Sequence, residues 1–336
     1  MITADLRSDT VTKPTPEMLA CMMQAEVGDD VFGEDPSINS LEKKAAEMLG
    51  MDEAVFCPSG TMTNQIGIRL LTQPQDEVIC HENAHVYLYE GGGLAYNSFV
   101  SSKLLKGERG KIDVASIKAA INPDDIHQPI SKLVAIENTM NKGGGAIYTL
   151  DEIKEISSLC KSHSLYLHLD GARLFNALVE TAENPKEYGN YFDTISLCLS
   201  KGLGAPVGSL LLFNGFSRQK VLRLRKVMGG GMRQAGFLAA AGKYALENHI
   251  NRLKEDHQRA RTLAEVLKKV SYVEEVYPTE TNIVIFKVKD AQEIVDKLAA
   301  RGVHCITFSP VHVRIVTHLD FTDDMLNHTI NAIQSI

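Results

Sequence analysis

An α/β fold built on a mostly parallel sheet is the architecture this sequence predicts, and three observations predict it. Short apolar runs, several ending in a polar residue, alternate with helical stretches from about residue 53 to residue 200. The clearest helical stretch, TLDEIKEISSLCKSHS, lies between two such runs, KLVAIE (Lys132–Glu137) and SLYLHL (Ser164–Leu169). That is the strand, helix, strand order of a parallel crossover. The polar residues of chemical interest also fall just after strands, and open parallel sheets bind ligands at the carboxyl ends of their strands.

The elements follow in order. Residues 1–40 carry weak periodicity and short polar turns such as Lys13-Pro14 and Gly28-Asp29-Asp30. They read as an arm laid over the body, with one helix near Glu17–Ala25. A helix over Asn39–Leu49 is stopped by Gly50 at the C′ position. EAVFC (Glu53–Cys57) reads as a strand, Thr61–Leu71 as a helix, and EVIC (Glu77–Cys80) as a strand. A helix near Ala84–Glu90 and a short strand region near residues 98–105 come next. In the 149–164 stretch Thr149 and Glu152 form a capping box, and Ile153, Ile156, Leu159 and Cys160 line one face. TISLCLSKGLGAPVGS (Thr194–Ser209) opens as a strand in which Ile195, Leu197 and Leu199 alternate with Ser196, Cys198 and Ser200, one face in the core. It then delivers Lys201 into a turn of Gly202, Gly204, Pro206 and Gly208. From about Ala245 the character changes. A charged helical stretch (Asn248–Val270) leads to TNIVIFKV, a helix ended by Gly302, the short strands VHCITF and HVRIVTH, and a last helix near Asp323–Ile336. The expected division is a large domain over 1–246, arm included, and a small α+β domain over 247–336.

Composition narrows the partners. The 336 residues are 44% hydrophobic and 23% charged, with a formal net charge of −7 and no basic run. That balance argues against nucleic acid or an anionic membrane surface as a partner. The six cysteines form no C-x-x-C pair and read as buried free thiols of a reducing compartment. A charged start without an apolar h-region, and no apolar span of membrane length, make the cytoplasm the expected location.

Several residues can carry chemistry. Lys201 has three readings: an ordinary surface lysine, a phosphate ligand, or a lysine that forms a Schiff base. The order G-x-x-x-x-G-K-[ST] of a P-loop is absent. Pro58-Ser59-Gly60-Thr61 joins a strand to a helix, so it is either an anion site made of free N–H groups or a plain capped turn. Asp170, at the end of SLYLHL, can pair with a ring nitrogen, and Arg173 is one turn further on. His81-Glu82-Asn83-Ala84-His85 matches the zinc-protease pattern H-E-x-x-H. That pattern needs both histidines on one helical face, whereas a strand runs up to His81. Arg233 follows the glycines 229–231. Arg314 alternates with Val313 and Ile315 and on its own reads as solvent-facing. Together these make a phosphate-sized anion site, a carboxylate, a strand-end lysine and a spare arginine, the set that pyridoxal phosphate and an amino acid require.

The chain also resembles the low-specificity L-threonine aldolases, pyridoxal-phosphate enzymes of the aspartate-aminotransferase fold group. The resemblance rests on seven collinear blocks: DLRSDTVTKP (Asp5–Pro14), VGDDVFGEDP (Val27–Pro36), PSGTM (Pro58–Met62), DGARLFNA (Asp170–Ala177), CLSKGLGAPVGS (Cys198–Ser209), GGGMRQAG (Gly229–Gly236) and VRIVTHLD (Val313–Asp320). It implies the fold-type I transferase architecture, with a mostly parallel central sheet flanked by helices and a smaller C-terminal α+β domain. It implies that Lys201 forms the Schiff base, that Asp170 pairs with the pyridinium nitrogen, and that Arg173 sits by the ring oxygen. Ser59, Gly60 and Thr61 would bind the phosphate, helped by Arg233 from a neighbouring subunit, and His85 would stack on the ring. Ser8 and Arg314 would hold the substrate carboxylate, with His127 near the substrate hydroxyl and Lys226 near the site.

The implied reaction is retro-aldol cleavage of L-threonine, L-allo-threonine and related β-hydroxy-α-amino acids to glycine and an aldehyde, with His85 or His127 as the base. A homotetramer, a dimer of dimers with sites at subunit interfaces, is implied as well. Phe32, the run Gln128-Pro129-Ile130, and Met140 depart from the family pattern, all on the substrate side. Alternatives are another pyridoxal-phosphate reaction (β-elimination, racemisation or transamination), a zinc hydrolase using His81 and His85, and a non-catalytic binding protein.

Overall fold

In a computed structural model that describes residues 3–336, the arm begins with a two-residue strand, β1 (Ala4–Asp5). Met1 and Ile2, the first residues of the expected arm, lie outside the described residues. Seven strands then build the central sheet: β2 (Glu53–Cys57), β3 (Asp76–His81), β4 (Ser101–Leu105), β5 (Ile130–Glu137), β6 (Tyr166–Gly171), β7 (Thr194–Cys198) and β8 (Ser209–Phe213). Their spatial order is β2-β8-β7-β6-β5-β3-β4. Only β8 runs against its neighbours; β3 to β7 are parallel. Their carboxyl ends therefore share one edge, where Glu137 is paired in register with Asp170, and Asp170 with Ser196.

Helices cover both faces of this sheet, and that corrects one expectation. Every residue of β7 is buried, Ser196 and Cys198 included, so the strand has two core faces rather than one. Its small residues let a helix approach closely: the Ser196 hydroxyl lies 2.6 Å from that of Thr63 on the helix Gly60–Leu71. Leu210, Leu211 and Leu212 of β8 are likewise fully buried, and truncating any one to alanine costs about 2–5 kcal/mol.

Local signals set most helix ends. The helix Pro36–Leu49 starts at Asp35, whose carboxylate accepts from the Ile38 N–H at 3.0 Å, and it ends at Gly50 with φ of +66°. The Thr149–Glu152 capping box forms as expected. Two expected helices are shorter than their sequence spans. The one near Ala84–Glu90 is His85–Leu88, and after Gly91 and Gly92, at φ +61° and +76°, a further short helix, Gly93–Ser98, follows. The charged stretch from Asn248 is a separate helix, Leu253–Leu267, preceded by Gly236–Asn248. All six cysteines are free; five are buried and Cys21 is partly exposed.

The remaining strands are β9 (Val273–Val276), β10 (Ile283–Val288), β11 (Val303–His304), β12 (Ile306–Ser309) and β13 (His312–Val316). Four of them form an antiparallel sheet in the order β12-β13-β10-β9, while β11 pairs in parallel with β1 of the arm. Ala4 and Leu6 are buried in the same apolar cluster as Phe286 and Leu298. No helix among the described residues is long and apolar enough to cross a membrane.

One buried histidine makes the fold sensitive to acid. His168 in β6 is fully buried, and burial pushes its pKa down to about 4 against a weaker opposing effect of Asp170. Between the ordinary histidine value of about 6.5 and pH 4, the unfolded chain binds a proton that the folded chain does not. Stability contributed by this residue is thus intact above pH 6.5 and declines as pH falls, by up to about 1.4 kcal/mol per pH unit. The urea midpoint is expected to drop between pH 7 and pH 5, and to drop less in His168→Gln; an equal drop in both proteins would refute this assignment.

Candidate active site

The shared carboxyl edge gathers the polar side chains. Asp170 accepts from the Ala172 N–H at 3.1 Å and from the Asn64 side-chain amide at 2.8 Å. Asn64 also donates to Glu90 at 2.7 Å, and its carbonyl oxygen faces His168 Nε2 at 3.0 Å. Nε2 must then carry the proton, so Nδ1 accepts from the Thr194 hydroxyl 2.8 Å away. A buried relay thus runs from Thr194 through His168 and Asn64 to Asp170, and holds that carboxylate at the end of β6.

His85 begins the short helix after β3. Its backbone N–H donates to Glu137 at 3.0 Å, and its Nδ1 lies 3.1 Å from Glu90 and 3.9 Å from Asp170. Burial alone would lower the His85 pKa, but the Glu90 hydrogen bond and the charges of Asp170 and Glu137 raise it above the ordinary value. Glu137 is itself pushed up to about 7, by burial first and by the Asp170 charge second. Its other oxygen accepts from the Asn141 N–H at 2.9 Å, and the Asn141 side chain accepts from Arg314 Nη1 at 2.9 Å. One buried carboxyl therefore ties the positions of His85 and Arg314 together.

Arg173 is buried and reaches both oxygens of Asp9, at 2.8 and 2.7 Å. Asn282 of the smaller sheet donates to the same carboxylate at 3.3 Å. Burial pushes the Asp9 pKa upward, yet the Arg173 guanidinium outweighs it and holds the group well below the usual carboxylate range. The charge of Lys201 adds to that lowering. Lys201 follows β7 and shares a small cleft with Ala172, Arg173 and Cys198.

Arg314 overturns the solvent-facing reading. It is 8% exposed, gives Nη2 to the Arg7 carbonyl at 3.0 Å, and its buried Nε has no partner. Alternation along β13 fails as a guide because this face is covered too: the Arg7 carbonyl, Asn141 and Phe308 all stand against Arg314. Burial and the nearby Arg173 charge bring the Arg314 pKa down to about 10. A buried guanidinium without a carboxylate invites an anionic ligand.

At the anion-binding turn, Ser59 caps the helix Gly60–Leu71 by accepting from the Met62 N–H at 3.2 Å. Ser59 and Thr61 are exposed there. Gly60 is required, since a Cβ would lie 2.5 Å from the Cys198 sulfur. The helix start is thus pressed against the strand that carries Lys201.

Other expected site residues fall elsewhere. Ser8 is at the edge of the cluster, next to Asp9, and accepts from the Thr10 N–H at 3.2 Å. His127 is 82% exposed on its side chain and bonds to Asp125. It precedes β5, so it sits at the amino end of the sheet, roughly 25 Å from this edge by strand length. Lys226 is exposed near the end of the helix Arg218–Val227, and Arg233, 54% exposed, pairs outward with Asp29 at 2.9 Å. The turn between them touches Met62 through Gly230, beside the anion-binding turn. His81 ends β3, and its ring nitrogens lie against the Gly107 carbonyl and the Asn83 N–H. The two histidines of H-E-x-x-H therefore share no helical face. His85, Glu90 and Asp170 do bring ligand atoms within 4.8 Å of one another, but Asn64 already donates to both carboxylates.

Residue types alone did not reveal Asp9, Asn64, Glu90, Glu137, Asn141, His168 or Asn282. The one available signal was that KLVAIE and SLYLHLD both end in a carboxylate, which places Glu137 beside Asp170 once the two strands pair in register.

These residues fit pyridoxal phosphate: a free helix start for the phosphate, Asp170 for the ring nitrogen, Lys201 beside both, and the unpartnered Nε of Arg314 for an amino acid. Fold and site together define a fold-type I pyridoxal-phosphate enzyme. The beta-eliminating lyase family model matches residues 5–291. A low-specificity L-threonine aldolase of Escherichia coli strain K12 is 42% identical over 96% of both chains. A probable low-specificity L-threonine aldolase of Arabidopsis thaliana is 39% identical, covering 99% of this chain and 97% of its own. A threonine aldolase structure from Leishmania major superposes with a TM-score of 0.85 at 23% identity, over 99% of both chains. The chain belongs to the low-specificity L-threonine aldolase family.

Two variants probe this framework. Asp9→Ala leaves the Arg173 guanidinium buried and unpaired and is expected to cost about 3–5 kcal/mol in urea unfolding. Asn141→Ala frees Arg314 and is expected to raise KM for the amino acid severalfold, with a smaller change in kcat; an unchanged KM would disprove the tie.

Proposed function

We propose that the protein is an aldolase that cleaves L-threonine, L-allo-threonine and related β-hydroxy-α-amino acids to glycine and an aldehyde. The observation that carries this reading is a buried Arg314 without a carboxylate partner among the described residues, brought from β13 through Asn141 to the sheet edge that carries His85, Asp170 and Lys201. When bound, pyridoxal phosphate supplies an electron sink for the bond broken at Cα.

The chain's own residues do the rest. Lys201 would hold the cofactor, and Asp170, fixed by Asn64 and Ala172, would serve its ring nitrogen. Arg173, locked by Asp9, would serve the ring oxygen, and Ser59, Gly60 and Thr61 the phosphate. Arg314 and Ser8 hold the α-carboxylate and so orient the Cα–Cβ bond. His85 takes the proton of the β-hydroxyl: Nδ1 is committed to Glu90, which leaves Nε2 free as the base.

We further propose that Arg233, His127 and Lys226 serve the site of a neighbouring copy in a homotetramer. All three lie at the surface, outside the cluster of their own chain. The division into domains 1–246 and 247–336 and a cytoplasmic location belong to the same reading.

Adding pyridoxal phosphate is expected to give a yellow protein whose colour borohydride removes, and Lys201→Ala is expected to stay colourless. Acetaldehyde and glycine should form from L-threonine; a yellow protein that yields no aldehyde from threonine, allo-threonine or phenylserine would refute the aldolase reading. Glu90 raises the His85 pKa, so Glu90→Gln should move the acid limb of the kcat profile to lower pH. An unmoved limb would exclude His85 as the base.

A further inference from the structure

Two cations stand on one aromatic ring at the rim of this site. The Lys142 ammonium lies 3.9 Å from the centroid of Phe308, and the Arg314 guanidinium carbon lies 5.4 Å from the same centroid. Lys142 is also 5.7 Å from the Tyr89 ring, which is 5.6 Å from the ring of His85. These five side chains run without a break from the base to the carboxylate clamp. They span the gap between the segments that follow β3 and β5, which supply Tyr89 and Lys142, and β12, which supplies Phe308.

Neither cation has a carboxylate partner among the described residues. Arg314 gives its hydrogen bonds to an amide and a carbonyl oxygen, and its Nε to nothing. The Lys142 ammonium stands over two aromatic rings and has no hydrogen bond or ion pair among the described residues. The nearby acids are committed elsewhere, Asp9 to Arg173 and Glu137 to two backbone N–H groups. An amino acid brings one α-carboxylate, which answers Arg314. Lys142 is left over, parked on aromatic faces that attract an ammonium without neutralising it. Its flexible four-carbon stem lets it swing from the ring to a nearby anion.

We propose that Lys142 is a second anion subsite, and that this enzyme accepts β-hydroxy-α-amino acids whose far end carries a carboxylate, the 3-hydroxyaspartate class. The inference rests on the aldolase reading above. In the step, the β-hydroxyl proton goes to the base and the Cα–Cβ bond breaks. The β-carbon then leaves as the aldehyde of glyoxylate, and Cα takes a proton to give glycine. No oxidant or reductant is needed.

The test compares kcat/KM for L-3-hydroxyaspartate and L-threonine in the cofactor-loaded wild type, Lys142→Met and Lys142→Arg. Lys142→Met is expected to lose about tenfold on hydroxyaspartate, mostly through KM, as for a lost charge-assisted hydrogen bond. Threonine should change less than twofold, and Lys142→Arg should keep most of the hydroxyaspartate activity. Equal losses on both substrates would make Lys142 a general carboxylate or structural group and overturn the inference. So would no loss, or a wild type that cleaves threonine but not hydroxyaspartate. A wild type that cleaves neither would instead remove the aldolase reading itself.

Discussion

The Asp9–Arg173 pair is the interaction on which the site depends. It is fully desolvated, and it joins three parts of the chain: the arm through Asp9, the central sheet through Arg173, and the smaller sheet through Asn282. A buried ion pair of this kind adds little net stability over an apolar one, because desolvation offsets most of the attraction. What it provides is geometry. With both guanidinium hydrogen bonds fixed, the orientation of Arg173 beside Lys201 is set, and the arm cannot shift without leaving a buried charge unpaired.

Around that pair the site is built from carboxylates in unlike settings. Asp9 is strongly ionised by its arginine, Glu137 is driven toward neutrality by burial beside Asp170, and Glu90 is engaged with His85. These acids and Asp170 would repel one another, and the fold offsets this with donors: Arg173 and Asn282 for Asp9, the His85 and Asn141 N–H groups for Glu137, and Gln65 for Glu90. Asn64 donates to two of these acids at once, Glu90 and Asp170. This polar network is nearly closed; Arg314 Nε and Asn282 Oδ1 are its buried atoms without a partner among the described residues.

Much of the large-sheet architecture was legible in the sequence, because strand and helix periods are local properties. The Thr149 capping box, the Gly50 stop and the strands ending at Glu137 and Asp170 all appear where their residues point. What escaped was long-range. Arg314 alternates like an outward residue, and contacts distant in sequence, the Arg7 carbonyl of the arm and Asn141 after β5, bury it. His85 and His81 match a metal motif by letter, but the strand that ends at His81 separates their side chains. Asp9, Glu90 and Asn64 look like ordinary polar residues until the sheet order brings them together. His127 reads as a site residue, whereas chain direction puts it at the far end of the sheet.

The parallel pairing of β1 with β11 has a consequence for how the chain comes into being. Leu6 is bonded by the backbone of His304 and Val316, and the Arg7 carbonyl holds Arg314. β1 is thus made some three hundred residues before the strand it pairs with. At about 5–20 residues per second, the arm waits roughly 15–60 s for residues 303–316 to be made. Until then the Asp9–Arg173 pair lacks Asn282 and the small sheet that complete it. The catalytic pocket cannot assemble on a nascent chain; it closes only after its own last strands exist.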